Sequence, residues 1–304
     1  MPGRLGIRTS FGAIRNRAIL ASLGAIRTSL GRSLRSDGPP SAAGRLPGFR
    51  LPRFQRLTTP IPSSLMTKVR MEGSWPGRVV LRRGWARAES RPWNDAVPMA
   101  HLRLVRGGGP SFIDDCVETL LELDITAVLS PPLPRSARTA WEAAGFDLCA
   151  DLTLMRRTLD RIPPPNHLVL SGGSSDMADA LRIDSAAFEE FWRFDDRALH
   201  EAMAATSSSV LHVVKSVDGG LAGFAVTGAG QTIAYLQRLA VDPRWQAQGI
   251  GRSLVRTSAR WAKKTGAGAL MLNTQADNTS AIGLYESEGF HVLEEPLAVL
   301  SRAA

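Results

Sequence analysis

The chain has 304 residues and a formal net charge of +9, from 37 lysine and arginine residues against 28 aspartate and glutamate residues. This length suits about two domains. Two cysteines are too few for a disulfide scaffold, and without an apolar run of spanning length we expect no transmembrane helix. We therefore expect a cytoplasmic protein in which both cysteines are buried.

Most of the positive charge lies in residues 1–71, which contain thirteen lysines and arginines against the single acid Asp37. Three interpretations of this stretch compete. It is a disordered basic extension that contacts nucleic acid or anionic lipid, or an organelle transit segment, or an over-long gene start. We favour the last, with initiation at Met66 or Met71, because the folded pattern begins just afterwards. Nucleic acid is expected as a partner only through this tail.

Residues 72–160 resemble a later part of the chain. Trp141-Glu-Ala-Ala-Gly-Phe146 aligns with Tyr285-Glu-Ser-Glu-Gly-Phe290, and an apolar run follows each Gly-Phe pair. Self-similarity over a long period indicates a duplicated domain. The alternative is coincidence, since Gly-Phe after a helix is common.

Three prolines in residues 161–166 predict a stiff, extended linker, and residues 167–304 then show a regular order of elements. Asp218-Gly-Gly predicts a hairpin turn. Antiparallel strands that lead into a strand–helix–strand unit predict an α/β (α+β) fold, with a mixed sheet and helices on both faces. The predicted strands are 167–170, 210–217, 221–227, 231–241 and 269–274, with a final strand after residue 290, and the predicted helices are 176–194, 195–205, a helix after Gly251, and 278–287.

The strand 231–241 leads into a glycine-bearing turn, Gln246-Ala-Gln-Gly-Ile-Gly-Arg252. A helix start exposes about four backbone N–H groups and the positive end of the helix dipole, so anions bind there. Gly249 and Gly251 lack a Cβ and allow an oxygen to approach these amides. The turn therefore predicts an anion site, with an ordinary strand-to-helix turn as the alternative.

The later helix opens on Asn278 and carries Tyr285 two turns on. Asparagine is a good N-cap, so a purely structural role for Asn278 stays open. A phenol is neutral at pH 7 and can donate a proton, whereas the alternative for Tyr285 is an amphipathic core residue.

In this order and spacing the two segments closely resemble the GNAT family of N-acetyltransferases, and the element order is similar to the GNAT fold over residues 165–304. The resemblance implies a central mixed, twisted sheet, preceded by a smaller, degenerate GNAT-like half. The implied division is a tail (1–71), a degenerate GNAT-like domain (72–160), a linker (161–166) and a catalytic GNAT domain (167–304). In the first half Trp141 and Pro134 replace Tyr285 and Asn278, so that half is expected to be structural.

The resemblance also implies acetyl-CoA as co-substrate and an amine as acceptor. Tyr285 corresponds to the proton donor for the departing thiolate. The cofactor-binding positions correspond to Leu239, Ala240 and Val241 for the pantetheine and thioester, to Gln246, Ala247, Gln248, Gly249, Ile250, Gly251 and Arg252 for the pyrophosphate, and to Asn278 at the later helix start.

The sequence departs from the family where its relatives carry a glutamate, because Tyr235 and Asn273 occupy those positions. No general base is assigned, although four acids lie in the region expected to line the acceptor groove. The histidine spacing does not indicate a metal site, and the oligomeric state is not predicted. The four acids are Glu189, Glu190, Asp195 and Asp196.

The function implied is direct acetyl transfer to a protein N-terminus, a lysine or a small amine. Within the family the later helix is similar to ribosomal-protein alanine acetyltransferases, whereas the degenerate first half and proline linker look like mycothiol synthase. A catalytically silent coenzyme A sensor or scaffold is the alternative from another class.

Overall fold

The computed structural model describes residues 68–304. Most of the predicted tail, with the candidate start at Met66, lies outside the described residues. The first strand includes Arg70 and Met71, which the prediction assigned to the tail. The fold begins before the predicted boundary because Met71 forms a cross-strand pair with Leu81.

Fourteen strands and six α-helices make up this part of the chain. The strands are β1 (Arg70–Glu72), β2 (Val79–Arg83), β3 (Ala86–Pro92), β4 (Met99–Arg106), β5 (Ala127–Leu129), β6 (Leu133–Pro134), β7 (Asp147–Thr158), β8 (Leu170–Ser171), β9 (Ser208–Lys215), β10 (Leu221–Ala229), β11 (Ile233–Val241), β12 (Ala269–Gln275), β13 (His291–Val292) and β14 (Leu297–Ala303). The helices are α1 (Pro110–Leu121), α2 (Thr139–Glu142), α3 (Met177–Ala187), α4 (Asp196–Ala204), α5 (Ile250–Lys264) and α6 (Thr279–Ser287). Over residues 68–304, none of these helices is long and apolar enough to cross a membrane.

The main path of the sheet has the order β1-β2-β3-β4-β5-β14-β7-β12-β11-β10-β9-β8, which is symmetric about its centre. In the first half β2, β3 and β4 are antiparallel and β5 is parallel to β4. In the second half β9, β10 and β11 are antiparallel and β12 is parallel to β11. The same strand arrangement thus occurs twice, as the duplication inferred from the repeat requires.

The two halves exchange their last strands at the centre of the sheet. β7 follows the first-half helix α2 but pairs with β12 of the second half, from Thr158↔Ala269 to Leu152↔Gln275. β14 ends the chain but pairs with β5 of the first half and with β7. The predicted domains 72–160 and 167–304 therefore share one continuous sheet.

The repeated segment adopts the same local structure in both halves. The N–H of Phe146 donates to the carbonyl of Trp141 at 3.1 Å, and that of Phe290 donates to the carbonyl of Tyr285 at 3.0 Å. The glycine before each phenylalanine has a left-handed φ, of 77° and 81° respectively, which favours glycine there. The aromatic rings pack edge-on in both pairs, with centroids 4.9 Å and 5.5 Å apart.

The proline-rich linker lies along α5. Side chains on successive turns of this helix donate hydrogen bonds to carbonyl groups of residues 160–164, so the linker and the residue before it run antiparallel to the helix. The linker is therefore held along the length of α5 by side-chain hydrogen bonds. The bonds join Arg256 to Pro164 (3.1 Å), Arg260 to Ile162 (3.2 Å) and Lys263 to Asp160 (2.9 Å).

Two predicted elements differ from those observed. The helix predicted over 176–194 is only 177–187, because Phe188 adopts an extended conformation with φ −121° and ψ 149°. The strand predicted over 167–170 is reduced to Leu170–Ser171. His167, the expected first residue of this strand, instead binds α5, because its N–H donates to Ser253 Oγ at 3.2 Å.

The apolar core has three parts. One belongs to the second half and packs α3, α4 and α5 against the sheet, and one belongs to the first half around α1. The third joins the halves, because Trp93 of the first half and Tyr235 and Met271 of the second half belong to it together. The sheet face that carries Tyr235 is thus covered by both halves.

Candidate active site

Strands β11 and β12 separate part-way along their length. Among the described residues their parallel pairing covers three residue pairs, the last of which is Tyr235↔Met271. β11 nevertheless continues to Val241, paired with β10 on its other side, and β12 continues to Gln275, paired with β7. Beyond Tyr235 the facing strand edges can therefore offer backbone hydrogen bonds to an extended ligand.

A tight turn with two left-handed residues connects β11 to α5. Ala247 has a φ of 60°, and Gly249, the N-cap of α5, has a φ of 84°. A left-handed residue with a Cβ is strained, so Ala247 marks a turn whose shape is imposed by its surroundings. Gln246 contributes to this, because its Nε2 donates to the carbonyl of Val241 at 3.1 Å.

The carboxylate at the start of this turn is paired with two arginines. Asp242 accepts hydrogen bonds from Arg244 (2.9 Å) and Arg182 (3.2 Å). The hydrogen bond from Arg244 is the main reason that the pKa of Asp242 is lowered to about 2, with Arg182 adding to the effect. The charge of Asp242 is therefore balanced and does not repel an anion at the start of α5.

Arg252, a predicted pyrophosphate ligand in the first turn of α5, is engaged by a buried carboxylate. Its Nη1 donates to Glu288 Oε1 at 2.6 Å, and Glu288 also accepts two hydrogen bonds from Arg256. The start of α5 also presents backbone N–H groups and the positive end of the helix dipole, which are groups that can bind an anion.

A cleft of about 1380 Å³ lies beside the turn. Its walls are formed by β7, the end of α3 with the loop that follows, the turn before α5, and residues 275–280 ahead of α6. Among the described residues, the charged side chains that line it are all acidic, namely Asp151, Glu189 and Asp277. Such a cleft attracts a cationic molecule such as a protonated amine.

Asn278 lines the cleft and caps α6. Its Oδ1 accepts a hydrogen bond from the N–H of Ala281 at 3.1 Å, and its Nδ2 donates to Thr274 Oγ1 at 3.3 Å. The capping role left open by the sequence is therefore present. It fixes the direction in which α6 leaves the cleft.

Tyr285 lies in the core behind the cleft and is not one of the residues that line it. Its side chain is fully buried and packs against Phe290. Burial raises the pKa of the Tyr285 hydroxyl well above its usual range, so the phenol keeps its proton at neutral pH.

The two strand positions at which relatives carry an acid contain uncharged side chains. Burial raises the pKa of Tyr235 to about 12, and Asn273 is only 1% exposed. Neither can act as a carboxylate base.

A buried ion pair fixes the loop of residues 188–195 that forms one wall. Arg238 donates two hydrogen bonds to Asp184, at 2.5 Å and 2.7 Å, and a third to the carbonyl of Trp192 at 3.0 Å. The guanidinium lies 3.4 Å from the ring centroid of Phe188 and 4.1 Å from that of Phe194. Sequence reasoning missed this pair, for which the available signal was an arginine within the apolar strand 233–241.

Of the four acids considered from the sequence, Glu189 lines the cleft and the others do not. Asp195 instead caps α4, accepting a hydrogen bond from the N–H of Ala198 at 2.7 Å. Asp151 was missed because it reaches the cleft on the exchanged strand β7. Cys149, next to it on β7, is exposed and also lines the cleft, which corrects the expectation that both cysteines are buried.

The remaining predicted ligands fall into two groups. Gln246 lines the cleft and Ala247, Gln248 and Gly249 are exposed beside it, whereas Leu239, Ala240, Val241 and Ile250 are buried and can contribute only backbone groups. Within residues 68–304, no group of three or more His, Cys, Asp or Glu side chains is arranged to hold a metal ion.

Part of the chain is similar to proteins of known family. The sequence profile described as the Acetyltransferase (GNAT) family matches residues 177–290. The [Ribosomal protein bS18]-alanine N-acetyltransferase of Escherichia coli (strain K12) is 42% identical over 74 residues, which are 24% of this chain and 50% of that protein. Mycothiol acetyltransferase of Mycolicibacterium gilvum (strain PYR-GCK) is 27% identical over 180 residues, which are 54% of this chain and 59% of that protein.

A similar solved structure is the tandem GNAT protein from the clavulanic acid biosynthesis pathway. It has a TM-score of 0.56 at 14% identity, over 74% of this chain and 82% of that one. This likeness concerns the fold and confirms the predicted mixed α/β architecture. The chain spans about half the length of the curated relatives it matches. The matched residues 177–290 include α3 to α6, the turn that precedes α5 and most of the cleft, so this part of the chain is similar to the GNAT family of acetyltransferases.

Proposed function

We propose that the protein transfers an acetyl group from acetyl-CoA directly to a primary amine of a protein N-terminus, a lysine or a small molecule. The observation that carries the proposal is the separation of β11 and β12 beside the start of α5. These features offer an extended pantetheine chain two strand edges, and offer its diphosphate a helix start. The similarity of residues 177–290 to the GNAT family supports acetyl-CoA as the acyl donor.

The backbone carries most of the assigned donor binding. Amides of the turn 246–252 hold the diphosphate, and the strand edge from Leu239 to Val241 offers N–H groups that polarise the acyl carbonyl as the amine attacks. The side chains of Gln246 and Arg252 act mainly through their bonds to Val241 and Glu288, which keep the turn in shape.

Tyr285 is the proposed proton donor to the departing thiolate. Burial raises the pKa of its hydroxyl, so the phenol carries a proton at every physiological pH, which a proton donor requires. The position of Tyr285 on α6, which Asn278 caps at the edge of the cleft, supports an approach to the sulfur from the core side.

The amine acceptor is assigned to the acidic cleft. The carboxylates of Asp151, Glu189 and Asp277 concentrate a cationic amine there, and its proton leaves through water in contact with them. An α-amine, with a pKa of about 8, loses its proton far more readily than a lysine, with a pKa of about 10.4. We therefore expect α-amines to be the better acceptors.

Two measurements on the full chain test the function. Calorimetry with acetyl-CoA should register binding, and release of free thiol from acetyl-CoA should depend on an acceptor from a panel of an alanine-initiated peptide, a lysine peptide blocked at its N-terminus, and small amines. Tyr285→Phe should keep donor binding and lose most turnover. The absence of acetyl-CoA binding by folded wild-type protein would refute the function, and binding without turnover would identify a sensor.

A further inference from the structure

The loop of residues 188–195, between α3 and α4, forms the acceptor wall of the cleft through Phe188, Glu189 and Trp192. It contains neither helix nor strand, and its own backbone bonds form one turn, in which the N–H groups of Trp192 and Arg193 donate to the carbonyl of Glu189. Four consecutive carbonyl groups, of residues 190 to 193, accept hydrogen bonds from side chains elsewhere in the chain. One of these donors is Arg238 of the second half, and the others come from the first half.

Asn94, in the loop between β3 and β4 of the first half, is the main donor. Its Nδ2 lies within hydrogen-bond distance of the carbonyls of Glu190 (2.7 Å), Phe191 (3.3 Å) and Arg193 (3.2 Å). Its Oδ1 accepts from the N–H groups of residues 96 and 97, at 3.0 Å and 3.1 Å, which holds the amide in this orientation. Asn94 is only 2% exposed, so its bonds are shielded from water.

The neighbours of Asn94 bind the same loop. Trp93 Nε1 donates to the carbonyl of Phe191 at 2.5 Å, and the two rings pack with centroids 5.2 Å apart. Asp95 lies 3.7 Å from the guanidinium of Arg193. Three successive residues of the first half are thus directed at one loop of the second half.

We propose that residues 93–95 are positioning residues for the acceptor, so that the first half, which lacks a phosphate turn of its own, sets the acceptor wall of the second half. This inference rests on the proposed function. The carbonyls of Phe191 and Trp192 are held by donors from the two halves, Trp93 and Arg238, so the Trp192 side chain on the cleft wall has little freedom. Removing the first-half donors loosens that wall and leaves the phosphate turn at residues 246–252 untouched.

Asn94→Asp separates the two roles of this residue. The aspartate keeps an oxygen that accepts from residues 96 and 97, but it has no N–H to donate and presents negative charge to three carbonyls. Trp93→Phe is the milder variant, because it keeps an aromatic ring at this position and removes one donor. Arg197→Ala is the matched control, since it breaks another bond between the halves, from Arg197 to the carbonyl of Pro76 at 3.2 Å, outside the acceptor wall.

The variants are compared in the full chain by acetyl-CoA calorimetry, by steady-state kinetics with the alanine-initiated peptide, and by hydrogen exchange. We expect Asn94→Asp to raise KM for the peptide at least tenfold, and Trp93→Phe to raise it about threefold. In both, kcat and the Kd for acetyl-CoA stay within about twofold of wild type. Exchange accelerates in residues 188–195 and not in 246–252, while Arg197→Ala behaves as wild type.

Unchanged peptide KM in both variants, with normal acetyl-CoA binding and turnover, would overturn this inference and leave the proposed function intact. Equal losses in Arg197→Ala and Asn94→Asp would also overturn it, since the effect would then be general loosening between the halves. Failure of wild-type protein to bind acetyl-CoA would instead remove the function on which the inference rests.

Discussion

The two glycines at the start of α5 should respond in opposite ways to replacement by alanine. Gly249 has a φ of 84°, which costs a residue with a Cβ about 1–2 kcal/mol. An added Cβ there would lie 3.6 Å from His167 Cε1, so the cost is conformational and not steric. At Gly251 an added Cβ would make ordinary contact with Leu284 at 3.5 Å, and alanine in a helix is favoured over glycine by roughly 0.5–1 kcal/mol.

For a protein of this size, 1 kcal/mol corresponds to a shift of about 2–4 °C in Tm. Gly249→Ala should therefore lower Tm by about 2–8 °C, and Gly251→Ala should raise it by about 1–4 °C. If the turn relaxes in Gly249→Ala, the same 1–2 kcal/mol must be spent to restore the binding geometry, which weakens acetyl-CoA binding by about 5–30-fold. The Cβ at Gly251 points at core side chains, so affinity should persist there.

Thermal unfolding and calorimetry on the two variants measure both effects. A Gly251→Ala protein that is stable but no longer binds acetyl-CoA would refute the reasoning, because it would mean that the ligand approaches the side of residue 251 assigned to the core. Unchanged stability and binding in Gly249→Ala would likewise contradict the claim that a left-handed residue shapes the site.

Three further outcomes are expected. Burial lowers the pKa of His212 to about 4, from about 6.5 in the unfolded chain, so between these pH values the unfolded state binds more protons. The free energy of unfolding is therefore at its full value above pH ~6.5 and falls by about 3 kcal/mol toward pH 4. Urea unfolding as a function of pH should detect this loss, and His212→Phe should remove it. Asp184→Asn should lower the free energy of unfolding by about 3–5 kcal/mol, because it leaves Arg238 buried without a counter-charge. The double change Asp184→Leu with Arg238→Met removes both charges and should recover most of that loss in the same assay. A thiol reagent should modify Cys149 in the native protein, more slowly with acetyl-CoA present, and should spare Cys116, because burial raises the pKa of Cys116 to about 12.

Local patterns predicted much of the second half. The hairpin at Asp218-Gly-Gly, the strand that ends at Val241 and the helix that begins after Asn278 depend on residues adjacent in sequence, and they occur where expected. The helix was predicted to reach residue 194 because Phe188, Phe191 and Trp192 have the i, i+3, i+4 spacing of a helix. In the structure Phe188 and Phe194 instead pack around Arg238, a residue distant in sequence. Tertiary contacts decided that boundary.

The exchange of β7 and β14 could not be predicted, because each has an apolar pattern that suits a place in either half. The same limit applies to the site. The left-handed glycine and the N-cap asparagine have local signatures, whereas Arg252 pairs with Glu288 across 36 positions of sequence and Asp151 reaches the cleft only through the exchange. Side-chain contacts with partners distant in sequence are therefore the part of the site that the sequence alone did not indicate.

Strand exchange also explains what keeps the gap between β11 and β12 open. β11 is fixed on its far side by β10 of its own half, up to Val241. β12 is fixed on its far side by β7, from the first half, up to Gln275. Each backbone bond contributes about 1 kcal/mol and leaving it unmade costs more, so neither strand can leave its outer partner to close the gap. The first half thus contacts the cleft on two sides, since β7 pairs with β12 and Asn94 binds the loop of residues 188–195.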